Sequence, residues 1–61
     1  MVIYGKILAW RIYQEEIIFG INYEDKVIEI CCYKHKILNF EQINEGKYIL
    51  LDKVTNEVFI I

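Results

Sequence analysis

Apolar side chains recur at every second position, and this alternation limits what the chain can become more than any other feature. In residues 17–23, Ile17, Phe19, Ile21 and Tyr23 fall on one side of an extended backbone, with Ile18, Gly20 and Asn22 on the other. Residues 27–33 repeat the pattern with Ile28, Ile30 and Cys32. The intervening Glu24-Asp25-Lys26 then reads as the turn of a hairpin. Further polar clusters, at Gln14-Glu15-Glu16, Lys34-His35-Lys36, Asn44-Glu45-Gly46 and residues 52–56, divide the chain into runs rich in β-branched and aromatic residues. Such residues pack well on pleated surfaces. The Asn44-Glu45-Gly46 loop is expected to join an extended run, 37–43, to another at 47–51, with Gly46 free to adopt a positive φ. Residues 52–56 then turn the chain into a final run, 57–61.

The first element admits two readings. As a strand, residues 2–13 would be long and bent at Gly5; as a helix, they offer Tyr4, Ile7, Leu8 and Ile12 at helical spacing. Their β-branched and aromatic content and the missing N-cap favour the strand. The expectation is one all-β domain spanning residues 1–61: a small five-stranded antiparallel meander, barrel-like or strongly twisted. The alternative is an α+β arrangement, one short N-terminal helix on a four-stranded sheet.

Several runs are apolar on both sides. Ile49 and Leu51 alternate with Tyr48 and Leu50, and Val58 and Ile60 with Phe59 and Ile61. A small sheet protects only one face unless it closes or pairs, so either the barrel shuts tightly or one face meets another protein. The run 58–61 would be an aggregation hazard as a free edge, and it is expected to be paired, with a dimer axis as one way of doing so. A domain of 61 residues buries only about 60% of its unfolded surface. Cys31 and Cys32 are adjacent and cannot close a stabilising loop on themselves, so they read as reduced thiols of a cytoplasmic protein. A second subunit is the leading source of extra stability. Lys6 interrupts the N-terminal apolar residues, and no apolar run approaches the roughly 18 residues of a membrane span. No membrane role is expected.

Little in the chain can carry catalysis. There is no Ser, and Thr55 is the only Thr, which excludes Ser-based triads. His35 is the one near-neutral acid or base. It lies three residues from Cys32, and alternation puts that pair on opposite faces. Cys31, Cys32 and His35 also lack the spacing of a tetrahedral metal site. Gly5, Gly20 and Gly46 stand alone, so there is no phosphate-cradling loop. Neither an enzyme nor a bound cofactor or metal is expected.

Two aromatic-basic clusters remain, Trp10-Arg11-Ile12-Tyr13 and Tyr33-Lys34-His35-Lys36. On one surface they could stack the bases of RNA or single-stranded DNA, as small β-barrels do. Nine acidic against seven basic side chains, with a formal charge of −2, leave little positive surplus for phosphate. Protein binding asks for less, because Trp, Tyr and Arg are the types enriched at binding hot spots. Trp10, Arg11, Tyr13, Tyr33, Lys34, His35 and Lys36 are therefore the candidate partner-binding residues.

Ile, Lys, Asn, Tyr and Phe together supply 31 of the 61 residues, a list shaped by AT-rich codons that tilts the expected source towards AT-rich bacteria, their phages and plasmids, or certain archaeal viruses, where short accessory proteins are common. The expected function is a non-catalytic protein-binding module. The specific expectation is a phage or mobile-element inhibitor that sterically blocks a larger host protein, such as a CRISPR-type defence nuclease, working as a monomer or as a homodimer. A small nucleic-acid-binding barrel is the alternative.

Overall fold

A computed structural model describes all 61 residues as five antiparallel strands in one sheet. These are β1 (Val2–Tyr13), β2 (Glu16–Tyr23), β3 (Lys26–Tyr33), β4 (Tyr48–Asp52) and β5 (Val58–Ile60). The all-β expectation holds, and the N-terminal element is a strand of 12 residues. The sheet is not closed. The order β3-β2-β1-β4-β5 also departs from a continuous meander, because after β3 the chain crosses over and β4 lies beside β1.

β1 organises the molecule. Its N-terminal half pairs with β4 and its C-terminal half with β2, and Lys6 is shared, opposite Asn22 on one side and Tyr48 on the other. The register shifts between Ile7 and Ala9, so the irregularity falls at Leu8 and not at Gly5. An extra residue bends a strand and reverses which side chains face inward. Up to Ile7 the odd residues face the core; from Trp10 onward the even ones do, Trp10 opposite Phe19 and Ile12 opposite Ile17. Gly5 matters for a different reason. A Cβ there would lie 2.8 Å from the Asn22 carbonyl oxygen and 2.9 Å from Ile21 Cδ1, so only glycine permits this close approach to β2.

The inward residues of all five strands form one core. Ile7, Ile17, Phe19, Ile21, Ile49 and Val58 are almost completely buried, and Ile30, Cys32, Leu51 and Ile60 surround them. The β2–β3 hairpin turns on Glu24 (φ 51°) and Asp25 (φ 64°), both left-handed, as a two-residue turn matched to strand twist requires. Gly46 has the expected positive φ, 83°.

Residues 37–43 are not a strand. They follow a short 3₁₀ turn, η1 (Lys34–Lys36), and contain a second, η2 (Phe40–Gln42). The spacing of Ile37, Phe40 and Ile43 is three, the period of a 3₁₀ helix and not of a strand. Ile37 is buried and Ile43 packs on the core, so the segment covers the open side of the sheet.

The same segment closes the edge of β5. Ile37 forms an isolated parallel bridge with Val58, and the Leu38 N–H donates to the Val58 carbonyl at 2.9 Å. Asn39 Nδ2 donates to the Ile60 carbonyl at 2.6 Å, while its Oδ1 accepts from the Ile60 N–H at 2.7 Å. The hazardous C-terminal run is thus paired within its own chain, by β4 on one side and by residues 37–39 on the other. β3 has no comparable cover, since none of the backbone hydrogen bonds outside the regular ladders involves its residues. No helix is long and apolar enough to cross a membrane.

Candidate functional site

The two aromatic-basic clusters meet at one end of the sheet, where the β1–β2 turn, the end of β3 and η1 converge. Register places Tyr13, Glu16 and Tyr33 in a single row across β1, β2 and β3 on the outer face. Arg11, Ile18 and Cys31 form the next row. Adjacent strands lie about 4.8 Å apart, so the two tyrosines flank Glu16 at about 10 Å. The chain leaves β3 directly into η1, which brings the His35 ring against that of Tyr33, with centroids 5.6 Å apart and planes 20° apart.

Trp10 does not join this surface. The bulge at Leu8 turns Trp10 and Ile12 to the inner side of the sheet, opposite to Arg11 and Tyr13. The core does not extend far enough to cover them, and they remain 37% and 48% exposed. The end of the sheet therefore shows aromatic side chains on both faces. Lys34 is partly buried, and its backbone N–H continues the ladder to the Glu15 carbonyl at 2.9 Å. Lys36 donates from Nζ to the Thr55 carbonyl at 3.2 Å and ties η1 to the β4–β5 turn. Around the tyrosines, Arg11, Lys34 and Lys36 are matched in number by Glu15, Glu16 and, one row beyond Arg11, Glu29, and no local positive surplus builds up.

A cleft of about 310 Å³ opens where the sheet stays unclosed, between Cys31, Cys32, Tyr33 and Lys36 on one side and Leu51 and Asn56 on the other. Its thiols are poorly suited to nucleophilic work. The Cys31 thiol donates to Glu16 Oε1 at 2.9 Å. That hydrogen bond, some desolvation and the carboxylate's charge all hold its pKa above the usual thiol value. Burial, with a smaller contribution from Cys31, pushes Cys32 up to about 11. Reactive thiols need an electropositive setting that stabilises the thiolate, and this one favours the neutral thiol. No group of three or more His, Cys, Asp and Glu side chains is arranged to hold a metal ion.

A second exposed surface lies on the outer face of the other half of the sheet, apart from the two aromatic-basic clusters. Tyr4, Leu50 and Phe59 form one register row across β1, β4 and β5; Val2 and Tyr48 lie in the rows to either side. Tyr4 and Tyr48 stack with centroids 5.0 Å apart and planes only 8° apart. Leu38, from the edge-covering segment, borders a shallow cleft together with Val2, Leu50 and Phe59. The signal for this face was the two-sided apolarity of the last two strands, but only the strand order shows that β1 joins them. Compared with protein-family models, curated proteins and solved structures, the chain matches none.

Proposed function

We propose that the chain is a non-catalytic protein-binding module that docks on a larger protein through the end of the sheet carrying Tyr13, Tyr33 and Trp10. The observation behind this reading is the row in which Tyr13 and Tyr33 flank Glu16, with His35 stacked on Tyr33 and Arg11 in the next row. Tyr, Trp and Arg combine a large rigid apolar area with a polar tip, the combination found at binding hot spots. The balanced charges around them suit the polar rim of a contact that forms and dissociates. A rigid domain of this size would act by occlusion, filling a groove or blocking a movement of its target. The AT-rich codon signature favours an accessory protein of a phage or mobile element, acting in the cytoplasm. A host enzyme such as a CRISPR-type defence nuclease is the kind of target it would occlude.

Single-stranded nucleic acid fits this end less well. Trp10 and Arg11 face opposite ways, Glu16 sits between the two tyrosines, and Lys36 is tied to Thr55. Phosphate binding needs a local excess of positive charge. The experiment is affinity capture from a lysate of an AT-rich bacterial host, with and without nuclease, comparing the wild-type chain with Tyr13→Ala/Tyr33→Ala. The expected result is one larger protein retained through nuclease and moderate salt and lost with the double variant. Recovery of RNA or DNA, with all proteins lost after nuclease, would overturn the proposal in favour of the nucleic-acid reading.

A further inference from the structure

We infer that the outer face of β1, β4 and β5 is a homodimer interface, occupied by a second copy of this chain. The character of the face separates it from the end of the sheet that carries Tyr13 and Tyr33. Between its end rows it holds no charged side chain: the middle row is Tyr4, Leu50 and Phe59, with Val2 and Tyr48 to either side. Permanent contacts between identical subunits are more apolar than contacts that dissociate, and resemble a core cut in two.

The area is of the right size. Val2, Tyr4, Leu38, Tyr48, Phe59 and Ile61 are each between 37% and 61% exposed. Together they offer on the order of 500 Å² of apolar surface, at the upper end of what a monomer leaves bare. A standard interface needs about 800 Å² per partner, and the neighbouring Leu50 and the charged end rows supply the difference.

The charges choose between a second copy and an unrelated protein. Lys6 occupies one end row, beside Tyr48 and Ile61. At the opposite end, Asp52 and Glu57 face each other across the start of the β4–β5 turn, next to Val2. The remaining nearby charged side chains are Lys47 at the first end and Lys53 at the second. Two copies stacked face to face about a two-fold axis along the middle row bring the Lys6 row of each over the Val2–Asp52–Glu57 row of the other, with Lys6 above Val2 and its ammonium reaching sideways to the acidic pair. The Tyr4, Leu50 and Phe59 rows then meet at the centre. Such a contact is self-complementary, as a two-fold interface must be. Sheets packed this way sit about 10 Å apart. The open face of each sheet is thereby covered, and the second subunit adds the stability that a 61-residue core lacks.

The test is sedimentation equilibrium of the purified chain from about 1 to 100 μM, with circular dichroism as the control for folding. The wild-type chain should sediment at twice 7.4 kDa. Phe59→Lys places a charge at the centre of the contact on an outward position, and should give a folded species of 7.4 kDa. Lys6→Glu should raise the dissociation constant about tenfold, since each ion pair occurs twice in the dimer. Adding Glu57→Lys to Lys6→Glu should restore most of that loss. Tyr13→Ala/Tyr33→Ala should leave the dimer intact, so this inference and the proposed function can fail separately. A wild-type chain that is monomeric at 100 μM would overturn the inference. So would a dimer indifferent to both Phe59→Lys and Lys6→Glu, which would have to form through another surface.

Discussion

Asn39 acts as a one-residue strand, and removing its side chain tests how the C-terminal edge is held. β5 is three residues long. Beyond its ladder with β4 it depends on the Leu38 N–H to Val58 and on the two bonds between the Asn39 carboxamide and Ile60. Each such bond contributes about 1 kcal/mol net, and a buried backbone group left without its partner costs about 1–3 kcal/mol. The two bonds are part-buried, because Asn39 is only half-buried, so water entering at the vacated side chain recovers some of that cost, and Asn39→Ala should destabilise by about 2–3 kcal/mol. A chain of this length has a total stability of about 3–9 kcal/mol, so a large share is lost. The melting temperature should fall by about 10–20 °C. Asn39→Asp keeps an acceptor for the Ile60 N–H but sets a carboxylate against the Ile60 carbonyl, and should be at least as damaging at neutral pH. Urea unfolding followed by far-ultraviolet circular dichroism reads both variants. Changes under about 0.5 kcal/mol in both, with the denaturant slope unchanged, would refute the role assigned to Asn39.

Five other expectations follow from the fold. Gly5→Ala should cost about 1–3 kcal/mol in the same assay, because its methyl would press on backbone at Asn22. Gly20→Ala should be tolerated, since the nearest atom to its Cβ lies 4.0 Å away. Glu24→Asn with Asp25→Gly should add about 1 kcal/mol, by placing residues suited to positive φ in the β2–β3 turn. Glu16→Ala removes the acceptor and the charge that raise the Cys31 pKa, and should speed its reaction with a disulfide reagent at pH 8. Cys32 has a folded pKa raised from 9.0 to about 11. The stability it contributes is therefore complete below pH 9 and is lost as pH rises through 11. Urea midpoints between pH 8 and 11 should fall less steeply for Cys32→Val than for the wild-type chain.

The strands were legible because a two-residue period is a local property. Ile17, Phe19 and Ile21, and Ile49 and Leu51, face inward as their alternation indicates. Three features were not local. The inward set of β1 changes from odd to even residues at Leu8, and nothing in Ile7-Leu8-Ala9 marks a bulge. That change sends Trp10 inward and Arg11 outward, while plain alternation already parts these two neighbours that sequence adjacency had grouped. Residues 37–43 are rich in apolar side chains and resemble a strand, but their three-residue spacing serves to cap the core. The outer apolar face exists only because β4 pairs with β1, a crossover that no turn signal announces. Of the candidate site residues, Tyr13, Tyr33 and His35 come together with Arg11 beside them, while Lys34 and Lys36 serve in part to hold η1 in place.

Hydroxyl-radical footprinting of the chain, alone and saturated with the larger protein that it captures, addresses both proposed surfaces in one measurement, because it reads side-chain exposure residue by residue. In the free chain at 100 μM, Tyr4, Tyr48 and Phe59 should already be protected relative to 1 μM, while Tyr13, Tyr33, His35 and Trp10 react freely. Adding the partner should protect Tyr13, Tyr33 and His35 and leave the first set unchanged. New protection confined to Tyr4, Tyr48 and Phe59 would contradict the assignment of the partner-binding end and place the docking surface on the apolar face instead.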